Sequence, residues 1–251
     1  MSSNFKDHFS ETSENYSRYR PSYPPELFEY LASLAKQHDR AWDCATGTGQ
    51  SAIGLAKYFT NVIATDASET QIKESVSNAN VDYKVALAEK SNLEENSIDL
   101  ITVAQALHWF NLDEFTKEVD RILKPGGVLA VWTYGIFNIQ PDIDAVVNHL
   151  YEQVLEPYWP DERKIVEGGY RDITFPFEEK CPPKFNMQLD WDLPQLLGYL
   201  STWSAVKKYE KETGKNPLNN IRQKLNNLWI KPENILKVKW PLTIKLWIKS
   251  V

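Results

Sequence analysis

The stretch Ala41-Trp-Asp-Cys-Ala-Thr-Gly-Thr-Gly-Gln-Ser-Ala-Ile-Gly-Leu-Ala-Lys-Tyr58 reads as a short strand, a glycine-bearing turn and an apolar helix. Two glycines directly after a first strand let the backbone turn tightly and approach a ligand at a helix amino terminus. The spacing also satisfies Gly47-x-Gly49-x-x-Ala52, a relaxed dinucleotide fingerprint. Asp43, four residues before Gly47, weighs between ligands. A nicotinamide-binding strand is normally apolar there. A carboxylate at the strand end suits a cationic, hydrogen-bond-donating group, such as the ammonium of a methionine moiety.

Working outward, apolar strand patterns over 62–65, 81–86, 98–104 and 128–133 alternate with helical ones over 69–77 and 113–123. Strands alternating with helices of this kind form βαβ units. The predicted fold is α/β, a doubly wound, Rossmann-like, mostly parallel sheet of seven strands. Upstream lies a polar helical stretch with Phe5, Phe9, Tyr16 and Tyr19, then a helix that Pro24 and Pro25 start and that runs to about Gln37. After about Asn138 the alternation stops. An amphipathic helix over 142–156, an aromatic- and proline-rich stretch to Pro183 and a helix from Leu193 to about Thr213 follow. Leu236, Val238 and Trp240, then Ile244, Leu246 and Ile248, alternate with polar residues around Pro241-Leu242, which reads as a terminal antiparallel hairpin. The expected organisation is one unit from 1–137 and 231–251, with 1–38 as a helical cap. Residues 138–230 form a helical or irregular insertion that acts as a substrate lid.

Composition agrees with a globular chain. Of 251 residues, 42% are apolar and 12% aromatic, which excludes disorder. No run of 18 apolar residues occurs, so no membrane span is expected. The amino terminus lacks the layout of a secretory signal, and two cysteines cannot build a disulfide framework. A cytoplasmic location follows as the expectation. A net charge of −6 argues against a protein that coats nucleic acid. From Val206 onward 11 basic residues face 3 acidic ones. That surface is read as the wet face of half-buried elements.

Asp66 ends the second strand, 17 residues beyond Gly49, where an acid can accept hydrogen bonds from both hydroxyls of a ribose. With Ala88-Glu89 after the third strand, Gln105-Ala-Leu-His-Trp-Phe110 after the fourth and Arg121-Ile-Leu-Lys-Pro-Gly-Gly127 before the fifth, the chain resembles the class I S-adenosylmethionine-dependent methyltransferases. Tyr19-Arg-Pro-Ser-Tyr-Pro24 together with Gln105–Phe110 resembles the small-molecule branch that includes trans-aconitate methyltransferase-like proteins. The resemblance covers about residues 5–135. One departure is Thr46-Gly-Thr-Gly, where many members carry a third glycine.

The resemblance implies S-adenosyl-L-methionine as cofactor, with S-adenosyl-L-homocysteine as its product. Asp43, Gly47 and Gly49 would hold the methionine end and Asp66 the ribose. Ala88 and Glu89 would face the adenine, and Gln105 and Ala106 would lie under the sulfonium. Tyr16 and Arg20 would belong to a segment folding over the cofactor, with Arg20 pairing a carboxylate. His108 is the candidate catalytic residue, as a base or as an orienting hydrogen-bond partner. Trp109 and Tyr134 are candidate walls for the methyl acceptor. No metal site is expected. The expected partner is a small-molecule methyl acceptor, with methylation on a carboxylate or hydroxyl oxygen, and no nucleic acid or membrane. Oligomeric state is left open. Rival readings are a nicotinamide-dependent oxidoreductase, an RNA methyltransferase served by the basic tail, and a non-catalytic adenosyl-binding protein.

Overall fold

The computed structural model describes residues 21–251. Helix α1 (Pro25–Leu34) starts at the proline pair and buries Leu27, Phe28, Leu31 and Ala32. The predicted alternation follows: β1 (Arg40–Cys44), α2 (Gln50–Leu55), β2 (Asn61–Asp66), α3 (Glu69–Lys73), β3 (Val81–Val85) and β4 (Ile98–Ala104). Then come α4 (Leu112–Ile122) and β5 (Leu123–Tyr134). β1 pairs in parallel with β2 and β4, β2 with β3, and β4 with β5. The sheet order is β3-β2-β1-β4-β5, so chain direction across the sheet reverses between β1 and β4. In open α/β sheets the carboxyl ends of the strands at such a point form the ligand crevice.

β1, β2, β4 and β5 are buried on both faces, as parallel strands covered by helices must be, whereas the edge strand β3 is exposed or half-buried. Ala41, Val62, Leu100, Ala130 and Trp132 point into one apolar layer with α1 and α2. Trp42, Ile63, Ile101, Val103 and Val131 point into the other, against Phe115, Val119 and Ile122 of α4. This period-two division seats the sheet between its helices and leaves only the strand ends polar.

The chain beyond β5 departs from the expected helical insertion. It contains α5 (Pro141–His149), which widens into i→i+5 turns over Leu150–Val154, then α6 (Arg163–Glu167), β6 (Glu178–Lys180) and β7 (Asn186–Trp191). Helices α7 (Leu193–Ser201), α8 (Ser204–Thr213) and α9 (Asn219–Trp229) precede β8 (Leu236–Ile248). The helix expected from Leu193 to Thr213 breaks at Trp203, whose backbone is extended (φ −64°, ψ 131°). Ile143, Val147, Leu196, Leu200 and Leu225 join the same apolar cluster as Ala41 and Leu100. The insertion therefore shares a core with the sheet and lends it strands.

The terminal hairpin does not form. Residues 236–248 are one continuous strand, β8. Its second half runs antiparallel to β5 and β6, and its first half antiparallel to β7. A two-residue hairpin needs central residues with positive φ, which Pro241-Leu242 do not supply. Pro241 sits exposed opposite Asn186, a strand position where no ladder donor is needed. The buried side chains Val238, Trp240, Leu242 and Leu246 keep one even-numbered phase straight through the proline.

Candidate functional site

The loop after β1 is built from backbone that few residues tolerate. Ala45, Gly47 and Gly49 have φ of 53°, 57° and 94°. A side chain at Gly49 would have to displace the Tyr83 ring, whose hydroxyl lies 2.1 Å from the Cβ position, and the φ of 94° favours glycine there. The missing third glycine is Ala45, and the turn still forms. An L-residue held in this left-handed region costs about 1–2 kcal/mol. Hydrogen bonds offset that cost: Thr46 N–H donates to the Thr65 carbonyl (2.9 Å) and Gly49 N–H to the Thr46 carbonyl (3.0 Å).

Asp66 stands at the end of β2 and organises the same loop. Its Oδ2 accepts the Gly47 N–H and its Oδ1 the Ser68 N–H, each at 2.9 Å. The carboxylate is fixed by these two backbone donors and is partly exposed. Ala88 is buried, and Glu89 accepts the Asn111 N–H at 2.8 Å.

Asp43 has a different place from the open carboxylate expected at the strand end. It is 1% exposed. Its Oδ1 accepts the Thr102 hydroxyl (2.7 Å) and its Oδ2 the Thr46 hydroxyl (2.5 Å). Burial pushes the carboxyl up to about 6, against the pull of the two hydroxyls. In this geometry Asp43 ties β1 to β4 and to the loop, and it acts on a ligand through loop shape and charge.

The ends of β4 and β5 carry the second half of the site. Gln105, with φ of 57°, leaves β4 in the left-handed region, so its side chain returns across the sheet end. Its Nε2 donates to the Tyr134 carbonyl (3.2 Å) and its Oε1 accepts the Thr133 hydroxyl (2.8 Å). Ala106 is buried next to it. His108 follows in a short turn, Leu107–Trp109, with its Nδ1 2.9 Å from the Tyr170 hydroxyl and its ring against Trp109. Burial, with the Arg163 charge nearby, pushes the imidazole down to about 4. It is therefore neutral at pH 7.

Gln105, His108, Trp109 and Tyr134 line one side of a cleft of about 140 Å³. Trp159, Arg163, Tyr199 and Trp203 of the insertion line the other. Arg163 is the residue that sequence reasoning missed. Its guanidinium lies 5.1 Å and 5.0 Å from the ring centroids of Tyr151 and Trp159. Nε donates to the Tyr151 hydroxyl, which in turn donates to Glu167. Held by the Tyr151 and Trp159 rings and 3.6 Å from the Glu167 carboxylate, this cation borders the cleft. Nothing marks it within Asp161-Glu-Arg-Lys164, because its partners lie in remote segments. Tyr170 was also missed; a Gly168-Gly169 turn before a tyrosine is its only local signal. Tyr16 and Arg20 lie outside the described residues. Among the described residues no His, Cys, Asp and Glu cluster is fit for a metal ion, and no helix is long and apolar enough to cross a membrane.

A family model described as a methyltransferase domain matches residues 42–131, the span that holds the loop, Asp66 and His108. A Dictyostelium discoideum protein named as a methyltransferase is 37% identical over 225 residues, 88% of this chain and 86% of that one. The chain belongs to the class I S-adenosylmethionine-dependent methyltransferases. A Saccharomyces cerevisiae protein named as an S-adenosylmethionine-dependent methyltransferase is 30% identical over 245 residues, covering 82% of this chain and 83% of its own. A solved structure from Anaeromyxobacter dehalogenans, described as a type II methyltransferase, superposes with a TM-score of 0.89 at 42% identity. It covers 92% of this methyltransferase and 99% of its own chain. S-adenosylmethionine is thus the cofactor, and the nicotinamide reading falls. Gly47 and Gly49 after β1, the backbone-fixed Asp66 at the end of β2 and Gln105 after β4 all lie at the carboxyl ends of their strands.

Proposed function

We propose that this enzyme transfers the methyl group to an oxygen, hydroxyl or carboxylate, of a small molecule bound between the sheet end and the insertion. The observation that carries the reading is the cleft, which His108 and Tyr134 line from the sheet end and Arg163, Trp159 and Trp203 line from the insertion. Gly47 and Gly49 would hold the methionine end of the cofactor, with Asp43 shaping their loop. Asp66 would take the ribose hydroxyls, Ala88 and Glu89 the adenine, and Gln105 and Ala106 the neighbourhood of the sulfonium. Trp109 and Tyr134 would wall the acceptor.

The cofactor supplies a methyl group that is already electrophilic, and its bonding pair stays on sulfur when the methyl leaves. The protein's task is to align an oxygen with it and exclude water. Aromatic walls desolvate the acceptor. Arg163 would pair with an anionic group on it. His108 would contact the reacting oxygen. Residues 138–230 serve as the acceptor-binding lid, packed on the core of the 1–137 and 231–251 unit. The acidic balance of the chain before Val206 and the aromatic cleft support a small acceptor over RNA.

The test is methyl transfer from labelled cofactor to a panel of small acids, alcohols and phenols, alongside bulk tRNA. Labelled small-molecule ethers or esters, with none in tRNA, are expected. Label found in tRNA alone, with binding that weakens steeply as salt rises, overturns the reading.

A further inference from the structure

We propose that the outer edge of β3 is a docking surface for a second copy of this chain, which pairs with it antiparallel about Tyr83 and joins two sheets into one. The sheet order begins at β3, so among the described residues no strand lies on its outer side. The Asn80 carbonyl accepts from Val62 and the Ala86 N–H donates to Asp66, so the even-numbered residues of β3 turn their backbone to β2. The odd-numbered ones turn outward. There the Val81 N–H is taken by the Asn78 carbonyl, which leaves the Val81 carbonyl, both backbone groups of Tyr83 and the Val85 N–H on the open edge. Such an edge is a template for another strand. Tyr83 is held in place for it: its hydroxyl donates to the Val76 carbonyl at 2.9 Å, and its ring fills the space beside Gly49.

The opposite end of the sheet is guarded. β6 is three residues long and reads Glu178-Glu179-Lys180, all charged, which blunts an edge. β3 is longer and reads Val81-Asp-Tyr-Lys-Val85, a sequence that a two-fold axis maps onto its own complement. Centred on Tyr83, the pairing sets Asp82 opposite the partner's Lys84, and Lys84 opposite the partner's Asp82. The two tyrosines exchange backbone bonds on the axis, and each Val85 N–H reaches the partner's Val81 carbonyl. Within one chain Asp82 and Lys84 already meet at 2.6 Å and stay about half exposed, so each charge gains a second opposite neighbour in the dimer. A slip of two residues either way opposes aspartate to aspartate or lysine to lysine, which costs stability and so fixes the register. Val76, Val85 and Leu87 are 59%, 53% and 38% exposed, three of the seven large hydrophobics left exposed among the described residues, so apolar exposure concentrates at this edge. A peptide of unrelated sequence matches the hydrogen bonds but not this order of charges. A second copy matches both.

The experiment is sedimentation equilibrium of the full chain from about 1 to 500 μM, a range suited to the small interface that a strand edge provides. A monomer–dimer equilibrium is expected. Asp82→Lys should raise its dissociation constant about ten-fold or more, because like charges then face each other on both sides of the axis. Lys84→Asp should do the same, and Asp82→Lys combined with Lys84→Asp should restore the parent value. Val85→Lys, at an exposed position, should also weaken the dimer while the far-UV circular dichroism stays that of the parent. The Tyr83 and Val85 amides should exchange hydrogen more slowly as the dimer fills. A chain that stays monomeric throughout overturns the inference, and so does a dimer whose constant ignores all four variants. Slow exchange of those two amides in a monomer assigns the edge to another segment of the same chain, and overturns it as well.

Discussion

The proposed cofactor rim and the proposed acceptor cleft adjoin at the end of β4, yet they are made by opposite means. At the rim, Asp66 is held by backbone N–H groups from within its own turn and the adjacent loop. In the cleft, His108 meets Tyr170, 62 residues away, and the Arg163 ring stack comes from the insertion. The rim depends on strand ends and local turns; the cleft depends on packing between distant segments. Their two buried titratable groups are also shifted in opposite senses: the Asp43 acid is raised and the His108 base is lowered, each by loss of solvent.

That opposition gives the largest expected effect. Between about pH 4 and 6 the native state keeps a proton on Asp43 that the unfolded chain has lost, so this term lowers stability as pH rises. Over about pH 4 to 6.5 the unfolded chain holds a proton on His108 that the native state lacks, so this term raises stability as pH rises. Each is worth about 3 kcal/mol over its window. In the unmodified protein the two nearly cancel. Urea titrations across this range should show a falling curve for His108→Gln and a rising one for Asp43→Asn, relative to the parent. Parallel curves for all three break the contrast between the regions.

Next in size, Arg163→Ala should lower kcat/KM for an anionic acceptor by about 1.5–3 kcal/mol, the range for a charged hydrogen bond. The affinity for S-adenosylhomocysteine should stay unchanged, as calorimetry will read. Asp66→Ala should do the converse and weaken S-adenosylhomocysteine by about 1–3 kcal/mol. A matching loss in both ligands for either variant shows that rim and cleft are one unit. The smallest effect is expected at the loop: Ala45→Gly relieves a left-handed alanine and should raise stability by about 1 kcal/mol, partly offset by chain entropy. A lowered denaturation midpoint contradicts the strain assigned there.

The parallel half of the fold was legible because its signals are short-range. The pattern over 98–104 gave β4 with the same bounds. The terminal strand was misread although its signal was also local. The even-numbered phase from Leu236 to Ile248 is unbroken, and a two-residue turn would have put Trp240 and Ile244 on opposite faces. The insertion hid two strands because Glu178–Lys180 is three residues long and β7 is only half buried; neither declares itself without β8 beside it. Asp43 was found in the sequence, but its two threonine partners were not. Thr102 lies 59 residues away and is brought opposite Asp43 by the register of β1 with β4.

The sequence by itself determined the alternation of strand and helix, the glycine loop and the acid at the tip of β2. Hydrophobic period, positive φ and a nearby carboxylate are properties of a few consecutive residues. Only the tertiary structure decided that β8 runs straight, that Arg163 faces His108, and that Tyr170 reaches the imidazole from behind. Those contacts join segments tens of residues apart, and each is set by the packing of the insertion on the sheet, which no single stretch of chain encodes.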